Sequence, residues 1–316
     1  MTLLYDGSVF LRHDTGSHPE CAARVAAISN GLCEAKLDVR CSHPKWTPAD
    51  RDDLGRVHDL GYVDSVRKFA KDSPGYIEAD TVVSSASYDV AISAAGAGVD
   101  AVRRVVTGDD RQAICLTRPP GHHALKGSAM GFCLFNNVAV AARMATASLN
   151  LDRILIVDWD VHHGNGTQDA FWEDEQVGFL SIHRSPFYPG TGLKDETGSG
   201  KGLGTIRNLP ISFGITRKEY LNRFTQELGE FADKLKPQLV LVSAGFDSHA
   251  LDPVGSLGLE VEDFGDLTKA VLQVADQHAD GRIVSMLEGG YNIEVLPRCV
   301  AAHLETMLGH ETHKEP

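Results

Sequence analysis

Arg153-Ile154-Leu155-Ile156-Val157-Asp158-Trp159-Asp160-Val161-His162-His163 is the stretch from which the fold of this 316-residue chain can be read. It opens as an unbroken apolar run and closes on a carboxylate. Continuous apolarity over so few residues suits a parallel strand covered on both faces, not an alternating strand with one wet face. Gln112–Thr117, Val177–Ile182, Gln238–Ser243 and Arg282–Leu287 have the same character. Between these runs, Ser87–Val106, Phe135–Leu149, Arg217–Leu235 and Val261–Ala279 carry apolar residues at helical spacing. Strand alternating with helix predicts an α/β fold with a parallel sheet. No linker, repeat or low-complexity tract interrupts the pattern. One domain over residues 1–309 is expected, with 310–316 as a disordered polar tail.

Composition narrows the function. A net charge of −13 argues against a nucleic-acid backbone as the main ligand, which needs clustered Lys and Arg. It permits a cationic partner. The six cysteines include no C-x-x-C pair, so a thiolate zinc knuckle is not expected, and their scatter suits a reducing compartment. The N-terminus shows no signal-peptide pattern, and no segment reaches the roughly 18 apolar residues of a membrane span. A soluble cytoplasmic protein is the expectation, with oligomerisation left open.

Parallel α/β sheets bind ligands beyond the carboxyl ends of their strands. Four of the five runs end in unusual chemistry there. Arg118-Pro119-Pro120-Gly121-His122-His123 breaks a strand and turns it, and a turn can aim both imidazoles into one cavity. A pair of solvated surface histidines would look the same. Asp158, Asp160 and His162 alternate, so all three can face one side. No Lys or Arg lies between positions 154 and 183, so a local salt bridge is a weaker account of these carboxylates than a metal ion. Asp247 in Ser243-Ala244-Gly245-Phe246-Asp247 is a third strand-end carboxylate. Asp160, His162 and Asp247 would leave a fourth position open, as in catalytic zinc sites; so oxygen-rich a set leaves Fe2+ as an alternative. Glu288-Gly289-Gly290-Tyr291 adds glycines that let backbone approach a ligand and a tyrosine able to donate to a polarised carbonyl. Two apparent nucleotide motifs fail. Gly96-Ala97-Gly98 lies inside a helical pattern, and Gly198-Ser199-Gly200-Lys201 lacks the first glycine and the following Ser or Thr of a phosphate loop.

RPPGHHA, DWDVHHGNGTQDAF, SAGFDSHALDP and LEGGY, in this order, together with Ser17-His18-Pro19-Glu20 and Arg24, resemble the histone deacetylase family. The likeness is to its class II and bacterial amidohydrolase branches, and runs from about Tyr5 to Leu308. The resemblance implies an arginase-like three-layer fold with a central eight-stranded parallel sheet. It implies a zinc-dependent amide hydrolase that removes acetyl or other acyl groups from lysine side chains. Asp160, His162 and Asp247 would be the zinc ligands. His122 and His123 would flank the activated water, with His123 the proton shuttle, and Tyr291 would polarise the scissile carbonyl. Asp158 would orient His122 and hold a structural potassium ion with carbonyls near Asp160, His162, Ser181 and Ile182. Gly131 and Phe132 would line a substrate tunnel opposite Tyr188, with Gly289 beside the site, Val254 at its mouth and Arg24 near an internal channel below the metal.

Three positions bear on specificity. Asn165 stands where many members carry a second aspartate behind the shuttle histidine, and a neutral amide stabilises imidazolium less. Tyr188 stands where phenylalanine is usual. Val254 stands where the polyamine-specific member of class II has a glutamate. An acetylpolyamine amidohydrolase is the alternative within the same chemistry. A non-catalytic acyl-lysine binding module is a different class, and the intact set of ligands, histidines and tyrosine argues against it.

Overall fold

The computed structural model of the chain describes residues 2–108 and 110–310. The strands are β1 (Thr2–Tyr5), β2 (Gly75–Glu78), β3 (Thr81–Val83), β4 (Gln112–Cys115), β5 (Ile154–Asp158), β6 (Val177–Arg184), β7 (Ile206–Ile211), β8 (Leu239–Ala244) and β9 (Ile283–Leu287). The helices are α1 (Ala22–Glu34), α2 (Arg51–Gly55), α3 (Leu60–Asp72), α4 (Ser87–Thr107), α5 (Asn137–Ser148), α6 (Asn165–Ala170), α7 (Arg217–Leu235), α8 (Val261–His278) and α9 (Leu296–Gly309). No described helix is long and apolar enough to cross a membrane.

Seven strands form one parallel sheet in the order β1-β4-β9-β8-β5-β6-β7, while β2 and β3 pair antiparallel in a separate hairpin. Successive residues of a central strand feed opposite cores. Ile154 and Ile156 pack with α4 and α5 on one face; Leu155 and Val157 pack with α1, α7, α8 and α9 on the other. That double burial is why these strands read as unbroken apolar runs.

The expected eighth strand of the sheet is not formed among the described residues. Beyond β1 there is a single parallel bridge, Leu3 to Ser42. Leu4 N–H donates to the Ser42 carbonyl at 2.8 Å and Ser42 N–H to the Thr2 carbonyl at 3.1 Å. Pro44 follows two residues later and has no N–H to extend the ladder. The opposite edge strand, β7, also carries a proline, Pro210, which an edge tolerates. Of the expected polar tail, residues 311–316 lie outside the described residues. His310 is described, with Nε2 2.6 Å from Asp276 Oδ2.

All seven strands are parallel, so their carboxyl ends share one edge of the sheet. β4, β9, β8 and β5 are consecutive neighbours there, and they are the strands followed by the His-His turn, Tyr291, Asp247 and the Asp-x-Asp-x-His run. From β5 the chain continues outward to β6 on one side and returns through β8 on the other, a switch point that opens a crevice.

Behind this edge lies a buried charge cluster. Arg118 donates to Glu20 Oε1 at 2.5 Å and to Oε2 at 2.8 Å, and Arg24 donates to Oε1 at 3.0 Å. Burial alone would raise the Glu20 carboxyl; Arg118 and His13 overcome it and hold the group well below the usual carboxylate range. A depressed folded-state pKa gives stability that is present above the unfolded value and is lost as the pH falls through the acid range. Glu20→Ala would leave two guanidinium groups buried without a counter-charge, and removing one partner of such a cluster costs about 3–5 kcal/mol. The urea midpoint at neutral pH should fall accordingly; a loss of about 1 kcal/mol or less, the level of an exposed pair, would show that the cluster does not hold the fold.

Candidate active site and metal centre

The ligand atoms of Asp160, His162 and Asp247 lie within 4.8 Å of one another, and all three residues are buried. His162 Nδ1 is 3.0 Å from Asp160 Oδ1 and 3.1 Å from Asp247 Oδ2. The outer oxygens are held by backbone. Val161 N–H donates to Asp247 Oδ1 at 2.9 Å, and Gly289 N–H donates to Asp160 Oδ2 at 2.8 Å. A Cβ at residue 289 would fall 2.2 Å from Asp247 Oδ2, so glycine is required for this approach. Burial and the charge of Asp160 push the Asp247 carboxyl up to about 7. Two buried carboxylates facing one imidazole nitrogen, with no Lys or Arg paired to either among the described residues, fit a divalent cation: its charge lets both ionise.

The tandem histidines differ in their surroundings. His122 Nδ1 is 3.0 Å from Asp158 Oδ2, and His123 Nδ1 is 2.7 Å from Asn165 Oδ1. Burial opposes the charged form of His122, but Asp158 and Asp160 push it up to about 10. Burial and the neighbouring charges of His122 and His162 hold His123 well below its ordinary value. Asn165 Nδ2 donates to Met130 Sδ at 3.4 Å. Its Oδ1 therefore accepts a hydrogen bond from His123 Nδ1–H, which leaves Nε2 as the basic nitrogen.

A cavity of about 240 Å³ opens over this centre, lined by Asp80, His123, Gly131, Phe132, His162, Phe187, Tyr188, Val254 and Tyr291. The structure thus brings Gly131, Phe132, Tyr188 and Val254 around one opening with His123, His162 and Tyr291. Gly131 has φ +55°, and a Cβ there would meet the His123 ring at 2.3 Å. Phe132 and Tyr291 rings meet edge to face at 5.7 Å. Tyr188 meets His123 edge to face at 5.3 Å and is 39% exposed, at the rim. Burial raises the Tyr291 phenol well above its ordinary value, so it stays a donor. Arg24 lies 4.8 Å below the Tyr291 ring and donates to the carbonyls of Gly290 and Glu288. The β5–β6 register sets Asp158 opposite Ser181, with Ile182 next along β6.

Several site residues escaped the sequence reading. Glu288 precedes the glycines and accepts from Gly121 N–H at 2.7 Å, His122 N–H at 3.2 Å and the Ser243 hydroxyl at 3.1 Å, so it holds the His-His turn. Its position just beyond an apolar strand was the available signal. Asp252 ties Tyr291 N–H (2.7 Å) to the N–H groups of Val254 and Gly255 (both 2.9 Å). Asp80, in the β2–β3 turn, accepts from Gly131 N–H at 3.1 Å. Phe187 stacks on His162 at 5.1 Å. Nothing periodic in the sequence marks Asp80 or Phe187.

A parallel α/β sheet carries at its carboxyl edge an Asp-His-Asp cluster able to hold a metal ion, paired histidines and a tyrosine, the equipment of a hydrolytic centre. The family model for the histone deacetylase domain matches residues 18–307, and the chain belongs to the histone deacetylase family, hydrolases of acetyl amides. It is 39% identical to Histone deacetylase 14, chloroplastic, of Arabidopsis thaliana, over 98% of this chain and 77% of that one. It is 35% identical to a histone deacetylase-like amidohydrolase of Pseudomonas aeruginosa (92% and 76%) and 40% identical to the mouse polyamine deacetylase HDAC10 (93% and 45%). The crystal structure of the HDA15 HD domain superposes with a TM-score of 0.92 at 35% identity, covering 99% of this chain and 89% of that one.

Removing one ligand should empty the centre. Asp247→Ala is expected to purify folded but with less than about a tenth of the wild-type metal, since one of three protein ligands is gone. Elemental analysis decides; full occupancy in the variant would reject the ligand set.

Proposed function

We propose that this protein is a zinc-dependent deacylase of lysine side chains. The reading rests chiefly on one observation: His123, His162 and Tyr291 converge on a single narrow, largely apolar cavity, with Asp160 and Asp247 at the buried side of His162. Asp160, His162 and Asp247 would hold the ion. Such an ion supplies Lewis acidity, polarising an acyl carbonyl and lowering the pKa of a water towards ~7. Iron(II) suits the same donors, and elemental analysis distinguishes the two.

The chain's own residues supply the rest. Phe132, Phe187, Tyr188 and Val254 enclose an aliphatic stem and exclude water. His123, neutral with a free Nε2, takes a proton from the attacking water and returns it to the leaving amine. Asn165 fixes its tautomer. His122, held by Asp158, lies beside His123 on the same wall of the centre and would stabilise negative charge near the reacting carbonyl. The Tyr291 hydroxyl donates to the carbonyl oxygen as negative charge develops there. A structural potassium beside Asp158, Ser181 and Ile182 belongs to the same proposal.

Loss of one donor to a developing oxyanion costs ~10²–10³ in rate. Tyr291→Phe should lower kcat by that factor and leave KM within about threefold, because the ring and its contacts with Phe132 and Arg24 remain. Stopped assays on an acetyl-lysine peptide measure both constants, and an unchanged kcat removes Tyr291 from the chemistry.

A second reading, acetylpolyamine hydrolysis, is favoured by the mouse relative named for it and by Asp80 at the cavity. Against it, Val254 presents no charge at the rim, and one oxygen of Asp80 is already engaged by Gly131 N–H at 3.1 Å and the Thr81 hydroxyl at 2.9 Å. The deciding test is kcat/KM for an acetyl-lysine peptide against N-acetylputrescine and N-acetylspermidine. The peptide is expected to win, and Val254→Glu should shift the ratio several-fold towards the polyamines, because a charge-assisted contact is roughly twice as strong as a neutral one. A tenfold wild-type preference for a polyamine would replace the first reading with the second.

A further inference from the structure

Arg184 ends β6 and lies outside the cavity, yet its contacts join two of the cavity's walls. Its guanidinium carbon lies over two aromatic rings, 4.2 Å from the centre of Phe187 and 4.4 Å from that of Phe213. One of its terminal nitrogens donates to the Gly255 carbonyl at 3.1 Å and reaches the Ser256 carbonyl at 3.4 Å. Its backbone N–H donates to the Val161 carbonyl at 2.9 Å. Among the described residues it has no carboxylate partner; two aromatic faces and two carbonyls satisfy the charge. Phe213 is 65% exposed, and Arg184 is its only aromatic or cationic partner among the described residues.

The partners belong to separate loops. Phe187 and Tyr188 follow β6 and form one wall, with Phe187 stacked on His162. Val254 follows β8 and forms another, directly before Gly255. Asp252 fastens the second loop to Tyr291. Arg184 is the link from that loop to the first.

We propose that Arg184 is a positioning residue for substrate: packed on Phe187 and Phe213 and bonded to Gly255, it locks the Phe187–Tyr188 wall to the Val254 wall and fixes the width of the channel that takes the acylated side chain. The inference rests on the proposed deacylase reading for its substrate, but the clamp itself is a matter of loop coupling. Arginine suits the task because a planar guanidinium can stack on two rings while donating in its own plane, which an ammonium cannot. His162 is held separately by Asp160 and Asp247, so loosening the walls affects fit more than chemistry.

The test uses R184M, which keeps the length without the donors or charge, R184K, F213A and the double variant R184M/F213A. R184M should raise KM for an acetyl-lysine peptide about tenfold, with kcat within about twofold and metal content unchanged, the pattern of lost binding without lost transition-state contacts. R184K should recover part of the KM loss. F213A should fall between R184M and wild type, and the double variant should be no worse than R184M alone, since Phe213 acts through Arg184. Hydrogen exchange at the amides of Val254, Gly255 and Ser256 should be faster in R184M than in wild type. Unchanged exchange overturns the clamp. Faster exchange with unchanged KM, a kcat loss in place of the KM rise, or additive effects of the two substitutions would each overturn its role in positioning. If the wild-type protein hydrolyses no acyl-lysine peptide, it is the deacylase reading that fails, and exchange alone then decides for or against the coupling.

Discussion

Like charge confined in a small dry volume is the constraint around which the catalytic edge is built. Asp158, Asp160, Asp247 and Glu288 are all buried within the ends of three adjacent strands. Carboxylates so placed are costly unless hydrogen-bonded or compensated by cations. The local fold answers with backbone donors. Val161 N–H serves Asp247, His162 and Gly289 N–H serve Asp160, Asp160 N–H serves Asp158, and Gly121 and His122 N–H serve Glu288. Each bond is charge-assisted and fixes a loop residue against a strand end. The turns that carry the histidines, the glycines and Tyr291 therefore take their shape from the carboxylates they surround. The His122 imidazole bonded to Asp158 compensates part of the remaining charge, and a divalent ion between Asp160, His162 and Asp247 would offset the larger part.

A second charge cluster supports the first from below. Glu20 gathers Arg24 and Arg118, and Arg24 spends its other nitrogens on the carbonyls of Glu288 and Gly290. The strand-end loop bearing Tyr291 is thus gripped on both sides, by Arg24 through its carbonyls and by Asp252 through the Tyr291 N–H. That grip fixes the phenol over the cavity while burial keeps it protonated. Fixing a single donor in this way is what the oxyanion role proposed for Tyr291 would require.

How far the sequence could be read follows from the same physics. The five central strands were legible because burial on both faces leaves only apolar residues, and a carboxylate closing such a run stands out. Arg217–Leu235 has the same bounds in the sequence and in the structure, where Thr216 and Glu219 form a capping box at its start. The sheet's edges were not legible: β1 has four residues, β7 is interrupted by Asn208 and Pro210, and the eighth strand shrinks to one bridge at Ser42. Helices α1, α3 and α9 are not among the helical runs read from the sequence, and length is not the reason, since α5 is shorter, at 12 residues. Among site residues, those at strand ends can be read from the residues themselves, whereas loop residues such as Gly131, Phe132, Tyr188 and Val254 are reached only through the family resemblance. Asp80 and Phe187 reach the cavity, and Arg184 reaches its walls, only through a chain path that no periodicity encodes. Glu288 was within reach, since it too is a carboxylate closing an apolar run, but the Gly-Gly-Tyr that follows drew the reading past it.

The same division explains why reaction and substrate differ in how firmly they can be argued. Chemistry depends on groups that burial forces into a few arrangements. Selectivity depends on the rim, where residues are half exposed and substitutions cost little. Overall identity cannot arbitrate: the chain is 40% identical to a protein named a polyamine deacetylase and 39% identical to one named a histone deacetylase. The net charge of −13 draws any cation towards the molecule and so favours neither substrate. What separates them is where a second ammonium would come to rest. Beside Val254 it would exchange water for methyl groups and gain no partner, whereas a lysine stem there gives up only apolar surface. Asp80, held by Gly131 N–H and the Thr81 hydroxyl through one carboxylate oxygen, is the one acidic side chain among the described residues of the cavity to which such an ammonium could turn. An acyl-lysine stem needs no such partner, so under the proposed reading the uncharged Val254 weights the rim towards lysine, while Asp80 is the residue through which a polyamine would have to gain.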